Sequence, residues 1–241
     1  MKINKVSIVI CCFNSRKVIA ETLVAALEQN TKFPYEIIVI NNNSNDDTVN
    51  IVKEVYKSST SKVDLKIINE TKPGLVFARI VGFMNAKFDL VSFVDDDNII
   101  DSNWIDELSK VFDDKKVGVA GGYNSPIAET GCSLPSWFEI FQSKYACGPQ
   151  AESSMYVTQE RKYLFGAGLT FRKEVLKEIY DSELPLFLTG RKSNSLLAGD
   201  DAELCLRAAL NGWELWYEQS LKLKHLITME RLTWGYLLKN Q

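Results

Sequence analysis

Four short apolar runs, three of them followed at once by polar residues, set the pattern of the first hundred residues. They lie at residues 6–10, 36–40, 65–68 and 90–94. Runs of this length, rich in Val and Ile, are typical of buried strands. The segments between them carry apolar residues at helical spacing, as in Ile19, Leu23 and Leu27. Strand and helix therefore alternate through three crossovers, which predicts an α/β fold: a Rossmann-like, mostly parallel central sheet flanked by helices.

The rest of the chain is less regular. Helices are predicted at residues 48–56, 75–86, 102–112, 172–180 and 229–239, and strands at residues 117–120, 163–171, 213–217 and 221–226. A further helix opens at residues 199–203 and closes at Asn211 and Gly212. Residues 123–161 contain three prolines and several aromatic residues without a regular pattern. This favours a substrate loop, although a flap that packs its aromatic side chains on the core is the alternative.

Three consecutive carboxylates, Asp95, Asp96 and Asp97, follow the fourth apolar run. In an open α/β sheet, ligands bind at the carboxyl ends of the strands, where the loops converge. Adjacent carboxylates repel one another, and their oxygens suit a hard divalent cation such as Mg²⁺ or Mn²⁺ that keeps positions open for phosphate. The triplet therefore indicates a metal site. A solvated acidic turn before the next helix is the alternative.

Two other strand exits are expected to line the same cleft, namely residues 11–14 and 41–47. No G-x-G-x-x-G follows the first strand and no G-x-x-x-x-G-K-[ST] occurs, so neither a nicotinamide dinucleotide site nor a P-loop is indicated. A second acid pair, Asp200 and Asp201, opens a predicted helix. Two acids suit a helix N-terminus electrostatically, but they can also be aimed at a reaction centre that they share with the triplet.

Composition narrows the choice of partner. The net charge of −3 and a pI near 5.4 give no electrostatic footprint for nucleic acid. The five cysteines are odd in number and include no C-x-x-C pair, which argues against a disulfide framework and a zinc site and fits the cytosol. No run approaches the ~18 apolar residues of a membrane span, so membrane contact is expected to be peripheral at most. The helical pattern still runs at Gln241, which suggests a truncated chain or a missing tail.

Six ordered sequence blocks together resemble the GT-A-fold glycosyltransferases of family 2, bacterial sugar transferases of polysaccharide assembly. The blocks are residues 6–14 (VSIVICCFN), 38–48 (IVINNNSNDDT), 73–79 (PGLVFAR), 93–97 (FVDDD), 166–172 (GAGLTFR) and 199–207 (GDDAELCLR). Each block is weak alone, but together they span nearly the whole chain. The resemblance implies one GT-A domain over residues 1–241, with a nucleotide-binding half at 1–121 and an acceptor and catalytic half at 122–241.

The resemblance also implies which residues bind the nucleotide. Cys11 and Phe13 belong to the segment that is similar to the family's base-binding loop. Asn41 stands where the family commonly has an aspartate that contacts the base, and an amide can both donate and accept there. Arg79 matches a residue near the base or diphosphate. Arg191, on a predicted loop, is interpreted either as a phosphate contact or as a solvated surface arginine.

The implied metal and catalytic residues come from both acid clusters. Asp95 and Asp97 resemble the acids of the family's D-x-D motif and are expected to bind Mg²⁺ or Mn²⁺, with Asp96 near the ribose or phosphates. Asp201 matches the family's catalytic base. His225, the only histidine, resembles a residue that helps to hold the metal or diphosphate, and the alternative is a hydrogen-bonded histidine at a strand end.

The resemblance implies transfer of a sugar from a nucleotide-diphosphate sugar, with a UDP-sugar favoured, to a hydroxyl of a glycan or lipid-linked acceptor. A single displacement with Asp201 as base inverts the anomeric configuration. The expected location is the cytoplasm, at the inner face of the cell membrane. The basic residues Lys222, Lys224, Arg231 and Lys239 fit a membrane-facing surface or a solvated face equally.

Two rival functions fit parts of the pattern. A non-catalytic sugar-nucleotide-binding subunit is compatible with Asn41 in place of an aspartate. A nucleotidyltransferase also uses a metal and an α/β sheet, but it calls for a Gly-rich, basic loop after the first strand, where this chain has Cys11, Cys12, Phe13 and Asn14.

Overall fold

The computed structural model describes residues 5–188 and 199–239. The strands are β1 (Val6–Cys12), β2 (Tyr35–Asn41), β3 (Asp64–Asn69), β4 (Leu90–Asp95), β5 (Asn98–Ile100), β6 (Val117–Ala128), β7 (Met155–Tyr156), β8 (Leu169–Arg172) and β9 (Glu214–Ile227). The helices are α1 (Ile19–Leu27), α2 (Thr48–Ser58), α3 (Leu75–Asn85), α4 (Trp104–Val111), α5 (Phe138–Phe141), α6 (Lys173–Tyr180), α7 (Asp200–Leu210) and α8 (Trp234–Lys239). Single 3₁₀ turns lie at Gln142–Tyr145 and Met229–Arg231.

In the described residues, these strands form one nine-stranded sheet in the order β3-β2-β1-β4-β8-β6-β9-β5, with β7 paired to β9. The four strands β3, β2, β1 and β4 are parallel, as expected of strands joined by helical crossovers. β8 is antiparallel to both of its neighbours, β4 and β6, whereas β6 and β9 are parallel. The α/β fold with a mostly parallel central sheet, predicted from the sequence, is confirmed.

Successive residues of the central strands pack on opposite faces of the sheet. In β1, Ile8 and Ile10 join the core cluster that includes α1 and α4, whereas Val9 joins the cluster that includes α3, α6 and α7. Helices therefore cover both faces of the sheet. This double burial explains why the parallel strands are almost continuously apolar rather than alternating with polar residues.

Several predicted boundaries are wrong. The predicted strand at residues 163–171 is present only as β8, because Gly168 has a φ of +74° and the Leu169 N–H donates to the Gly166 carbonyl in a turn. β6 continues beyond its predicted end to Ala128, because it pairs with β9 across a shift in register. The strands predicted at 213–217 and 221–226 form the single strand β9, and the predicted last helix is a 3₁₀ turn followed by α8.

The sequence analysis did not predict β5, which directly follows the acid triplet. β5 pairs antiparallel with β9, and this pairing sets Asn98 opposite His225. The Leu226 N–H donates to the Asp97 carbonyl at 2.9 Å beside this pair. The end of the chain is thereby brought against the triplet, although more than a hundred residues separate them in sequence.

The irregular stretch at residues 123–161 forms a small core of its own against the end of the chain. Its aromatic residues Phe138 and Tyr145 pack with Ile227 of β9 and Leu237 of α8. This is the packing expected of a flap. Within residues 5–188 and 199–239, no helix combines the length and the apolar character that crossing a bilayer requires.

Candidate active site

A cavity of about 400 Å³ lies where β1 and β4 end. Its lining includes the acid triplet, Asp95, Asp96 and Asp97, and also the acid pair near residue 200, Asp200 and Asp201. The expectation that both acid clusters share one hollow is therefore confirmed. The other lining residues include Cys11, Cys12, Phe13, Asn42, Arg79, Lys144, Tyr145, Ala146, His225 and Arg231.

The turn that carries the triplet is held by Asn98, which is fully buried. Asn98 Oδ1 accepts from the Asp95 N–H at 3.3 Å, and Asn98 Nδ2 donates to Asp97 Oδ1 at 2.9 Å. On the other side, Asp95 pairs with Cys11 of β1. Strand pairing and the buried amide thus fix the backbone of Asp95, and the same amide holds the carboxylate of Asp97.

Asp96 connects the triplet to the loop that follows β1. Its Oδ2 accepts from the Ser15 hydroxyl and, at 3.4 Å, from the Phe13 N–H. Burial and the nearby charge of Asp97 raise the pKa of Asp96 to about 7, even though the Ser15 bond favours the ionised form. Asp96 therefore faces the loop after β1.

His225 and Arg231 both approach the last acid of the triplet. His225 Nε2 lies 3.3 Å from Asp97 Oδ2, and Arg231 Nη1 donates to the same oxygen at 3.0 Å. Burial disfavours the imidazolium, but the charge of Asp97 and its hydrogen bond outweigh burial and raise the pKa of His225 to about 10. The sequence analysis assigned Arg231 to a basic surface; instead, it lines the cavity.

The donor atoms in this corner fit a hard divalent cation. Asp95, Asp97 and His225 line one cavity, and the 3.3 Å between Asp97 Oδ2 and His225 Nε2 lets both atoms bind one ion. Burial raises the pKa of Asp95, and the charges of Arg79 and His225 oppose this shift. In the described part of the chain, no group of three or more His, Cys, Asp or Glu side chains is arranged so that it could hold a metal ion by itself. Phosphate and water oxygens would have to complete the coordination, as is usual for Mg²⁺.

Arg79 of α3 bridges the two acid clusters. Its side chain is buried, with Nη1 2.5 Å from Asp200 Oδ2 and Nη2 3.8 Å from Asp95 Oδ1. Burial opposes the charge, but Asp200 and Asp95 outweigh it and raise the pKa of Arg79. Arg79 Nε has no hydrogen-bond partner among the described residues. The guanidinium is therefore held between the clusters and retains one unused donor.

Asp201, the second acid of the pair, lies close to Arg79 and is held by two backbone N–H groups. Its Oδ2 accepts from the Gly166 N–H at 2.9 Å, and its Oδ1 accepts from the Ala202 N–H at 2.9 Å. Burial raises the pKa of Asp201, although Arg79 and these two bonds oppose the shift. A Cβ on Gly166 would lie 3.0 Å from Arg79 Nη2 and 3.1 Å from Asp201 Oδ2, so a larger residue there would displace these side chains by a few tenths of an ångström.

The expected nucleotide-binding residues are only partly brought together. Cys11 and Phe13 line the cavity; burial raises the pKa of Cys11 to about 12, and the Phe13 side chain is 47% exposed. Asn41 is not part of the lining. Its Nδ2 donates to Asn69 Oδ1 at 2.9 Å and its Oδ1 accepts from the Ser44 N–H at 3.1 Å. Asn42 lines the cavity instead, and Arg191 lies outside the described residues.

Sequence reasoning missed the place of Arg231 in the cavity, and it included Asn42 and residues 144–146 only within longer segments. Asn42 directly follows β2 and belongs to the strand exit at residues 41–47 that was expected to line the cleft. Residues 144–146 lie in the irregular stretch, which therefore does reach the cavity as a substrate loop would. No periodicity or motif marked these residues.

The comparisons with known proteins agree with this architecture. A profile described as "Glycosyltransferase like family 2" matches residues 4–239, so the chain belongs to glycosyltransferase family 2. Among curated proteins, the chain is similar to a chondroitin synthase of Pasteurella multocida (strain Pm70), with 28% identity over 118 residues. That match covers 48% of this chain and 12% of the synthase.

Solved structures show the same fold at lower identity. The structure of S. aureus TarS 1-349 in complex with UDP-GlcNAc has 22% identity, a TM-score of 0.63 and coverage of 93% of this chain and 58% of the TarS 1-349 chain. GalNAc-T7 with UDP, GalNAc and Mn²⁺ has 15% identity, a TM-score of 0.68 and coverage of 93% and 44%. These likenesses confirm the GT-A fold. The chain spans less than two thirds of each of these three proteins.

Proposed function

We propose that the chain transfers a sugar from a nucleotide-diphosphate sugar, with UDP as the favoured nucleotide, to a hydroxyl of a glycan or lipid-linked acceptor. One observation carries this proposal: a single cavity contains the acid triplet and Asp201, with Arg79 between them. Such a cavity can receive a diphosphate at one wall and an attacking hydroxyl at the other. Membership of family 2 supports the same reaction class.

The donor half of the proposal rests on residues 1–121. Phe13 offers an exposed ring on which a nucleobase can stack, beside Cys11. Asp96 accepts hydrogen bonds and can receive one from a ribose hydroxyl. Asn41 positions the loop at 41–47 through its bonds to Asn69 and Ser44 rather than by contacting the base.

Asp95, Asp97 and His225 would hold Mg²⁺ or Mn²⁺ at the diphosphate. When bound, the cation neutralises the negative charge that grows on the leaving group. Arg231 adds a fixed positive charge at the same place, because its Nη1 lies 3.0 Å from Asp97 Oδ2. Together, these residues would stabilise the negative charge of the leaving diphosphate.

Asp201 acts as the general base. Burial raises its pKa, which strengthens the ionised carboxylate as a proton acceptor, and the two N–H donors keep its orientation fixed. The acceptor oxygen attacks the anomeric carbon, Asp201 takes the hydroxyl proton, and the sugar–phosphate bond breaks. One displacement inverts the anomeric configuration without a covalent sugar intermediate. The setting we propose is cell-surface polysaccharide synthesis at the cytoplasmic face of the membrane.

The test compares Asp201→Asn with the wild type in turnover of radiolabelled UDP-sugars with Mn²⁺ and in UDP binding by calorimetry. We expect turnover to be lost while UDP binding stays close to wild type. Asp181→Asn, at an exposed acid after α6, is the matched control and should retain activity. Normal turnover by Asp201→Asn would refute the base assignment, and UDP binding without turnover by the wild type across a broad acceptor panel would favour a non-catalytic binding subunit.

A further inference from the structure

The two ring nitrogens of His225 have different surroundings. Nε2 faces Asp97 and the cavity, whereas Nδ1 lies 3.7 Å from the sulfur of Cys147. Both side chains are buried, His225 at 5% exposed and Cys147 at 1%. In a metal-binding histidine, the ring nitrogen that does not bind the metal usually donates a hydrogen bond to a carbonyl or a carboxylate. Here a thiol takes that position.

The position of Cys147 is set by its own backbone. The Cys147 N–H donates to the Gln142 carbonyl at 3.0 Å, and Ala146 turns the chain with a φ of +53°. The Cys147 thiol donates to the Tyr145 carbonyl at 3.4 Å. Because its one hydrogen is committed to Tyr145, the sulfur is left as an acceptor toward His225.

We infer that Cys147 is a positioning residue, which accepts from the Nδ1–H of His225 and so holds the ring with its Nε2 lone pair toward the metal position. This inference rests on the metal site of the proposed function. The opposite tautomer would place the hydrogen on Nε2, and Nδ1 would then need the thiol hydrogen that Tyr145 already accepts. The imidazolium also carries a hydrogen on Nδ1, so the same contact serves both charge states.

The single histidine of the chain makes the inference directly measurable. In protein with Mg²⁺ and UDP, ¹⁵N NMR of the imidazole should show the hydrogen on Nδ1. Mn²⁺ affinity at fixed UDP, measured by electron paramagnetic resonance, should fall about tenfold in Cys147→Ala. Loss of the hydrogen-bond partner of a metal-binding histidine typically lowers metal affinity by about 10- to 100-fold, and the smaller effect is expected here because sulfur is a weak acceptor. Cys147→Ser, which keeps a donor and an acceptor, should recover most of this loss.

Two controls separate positioning from packing. Cys147→Val fills the space without an acceptor and should bind Mn²⁺ as weakly as Cys147→Ala. Cys205→Ala removes the same atoms from another core cluster and should lower the melting temperature without changing Mn²⁺ affinity. Wild-type Mn²⁺ affinity in Cys147→Ala or Cys147→Val, or a spectrum that shows a neutral ring with its hydrogen on Nε2 and none on Nδ1, would overturn the inference.

One further variant distinguishes failure of this inference from failure of the proposed function. His225→Ala should weaken Mn²⁺ binding at fixed UDP at least as strongly as Cys147→Ala does. If the wild type binds no Mn²⁺, or if His225→Ala binds it normally, the proposed metal site fails and the role of Cys147 fails with it. If His225→Ala binds weakly while Cys147→Ala binds normally, only the role of Cys147 is refuted.

Discussion

Arg231 donates from Nη1 to Asp97 Oδ2 over 3.0 Å, so the last acid of the triplet has a counter-charge supplied by the chain itself. A divalent cation at Asp97 would sit beside this guanidinium, and like charges repel. At the same time, Arg231 lines the cavity and can attract a diphosphate. Arg231 should therefore weaken the binding of a divalent cation and strengthen the binding of a diphosphate.

We expect Arg231→Gln to bind Mn²⁺ about fivefold more tightly without nucleotide, a change of roughly 1 kcal/mol, and to bind UDP more weakly by a similar factor. Calorimetry with each ligand alone measures both effects. Lys110→Gln, which changes an exposed lysine on α4, is the control. Weaker Mn²⁺ binding together with unchanged UDP binding would contradict this role.

Asp200 should matter chiefly for stability, because it neutralises the buried Arg79 at 2.5 Å. Removing Asp200 would leave Arg79 only with the more distant Asp95, 3.8 Å away, and we expect Asp200→Asn to lower the free energy of unfolding by about 3 kcal/mol. The double variant Arg79→Met with Asp200→Asn should lose less than the sum of the single variants. Urea unfolding of all four proteins measures the coupling, and additive losses would rule it out.

The rate of transfer should depend on pH through Asp201. Since burial raises its pKa above the ordinary value of 3.8, the rate should fall as the pH drops through a midpoint higher than 3.8, where the base takes up a proton. Gly166→Ala disturbs a hydrogen bond that favours the ionised form, so this variant should move the midpoint upward. Gly235→Ala, at a glycine with open space around it, is the control. A downward shift in Gly166→Ala would contradict the assignment.

Glu36 provides a pH-dependent contribution to stability outside the cavity. It is fully buried in β2 and accepts from Ser7 Oγ at 2.7 Å, from the Lys87 N–H at 2.8 Å and from Lys66 Nζ at 3.0 Å. Burial favours the neutral acid, but these partners outweigh it and lower the pKa of Glu36 below 4.5. The stabilisation is therefore present above the unfolded-state pKa, near 4.5, and is lost as the pH falls through the lower value of the folded state.

We expect Glu36→Gln to lower the free energy of unfolding by roughly 2 kcal/mol at pH 7, and the difference from wild type to shrink as the pH falls well below 4.5. Urea unfolding across this range is the measurement. Glu54→Gln, at an exposed position of α2, should have little effect. A difference that stays constant at all pH values would show that Glu36 is not ionised in the folded protein.

The first half of the fold was predictable because each of its elements is coded locally. The strands are continuous apolar runs that end in polar residues, and α1 presents Ile19, Leu23 and Leu27 to the core at helical spacing. The acid triplet could be placed for the same reason, since the end of a parallel strand faces the ligand side of the sheet.

The second half was less predictable because its pairing is set by partners distant in sequence. Nothing local marks β5 as a strand of three residues, yet its pairing with β9 carries His225 to Asp97. The same pairing explains Arg231, which looked like a surface charge because only the folded chain shows that it faces Asp97. A role for Asn41 at the nucleobase was expected from the resemblance alone. In the structure its amide donates to Asn69 instead of lining the cavity.

The insertion of β8 beside β4 limits how the chain can be divided. β4, which carries the triplet, pairs with β1 on one side and with β8 on the other, through Val91 opposite Phe171 and Phe93 opposite Leu169. A fragment ending at residue 121 would leave one side of β4 as a bare apolar edge, which recruits other chains. A protein truncated at residue 121 should therefore aggregate, and a chimaera that exchanges residues 122–241 between relatives must keep residues 169–172 matched to the β4 they cover.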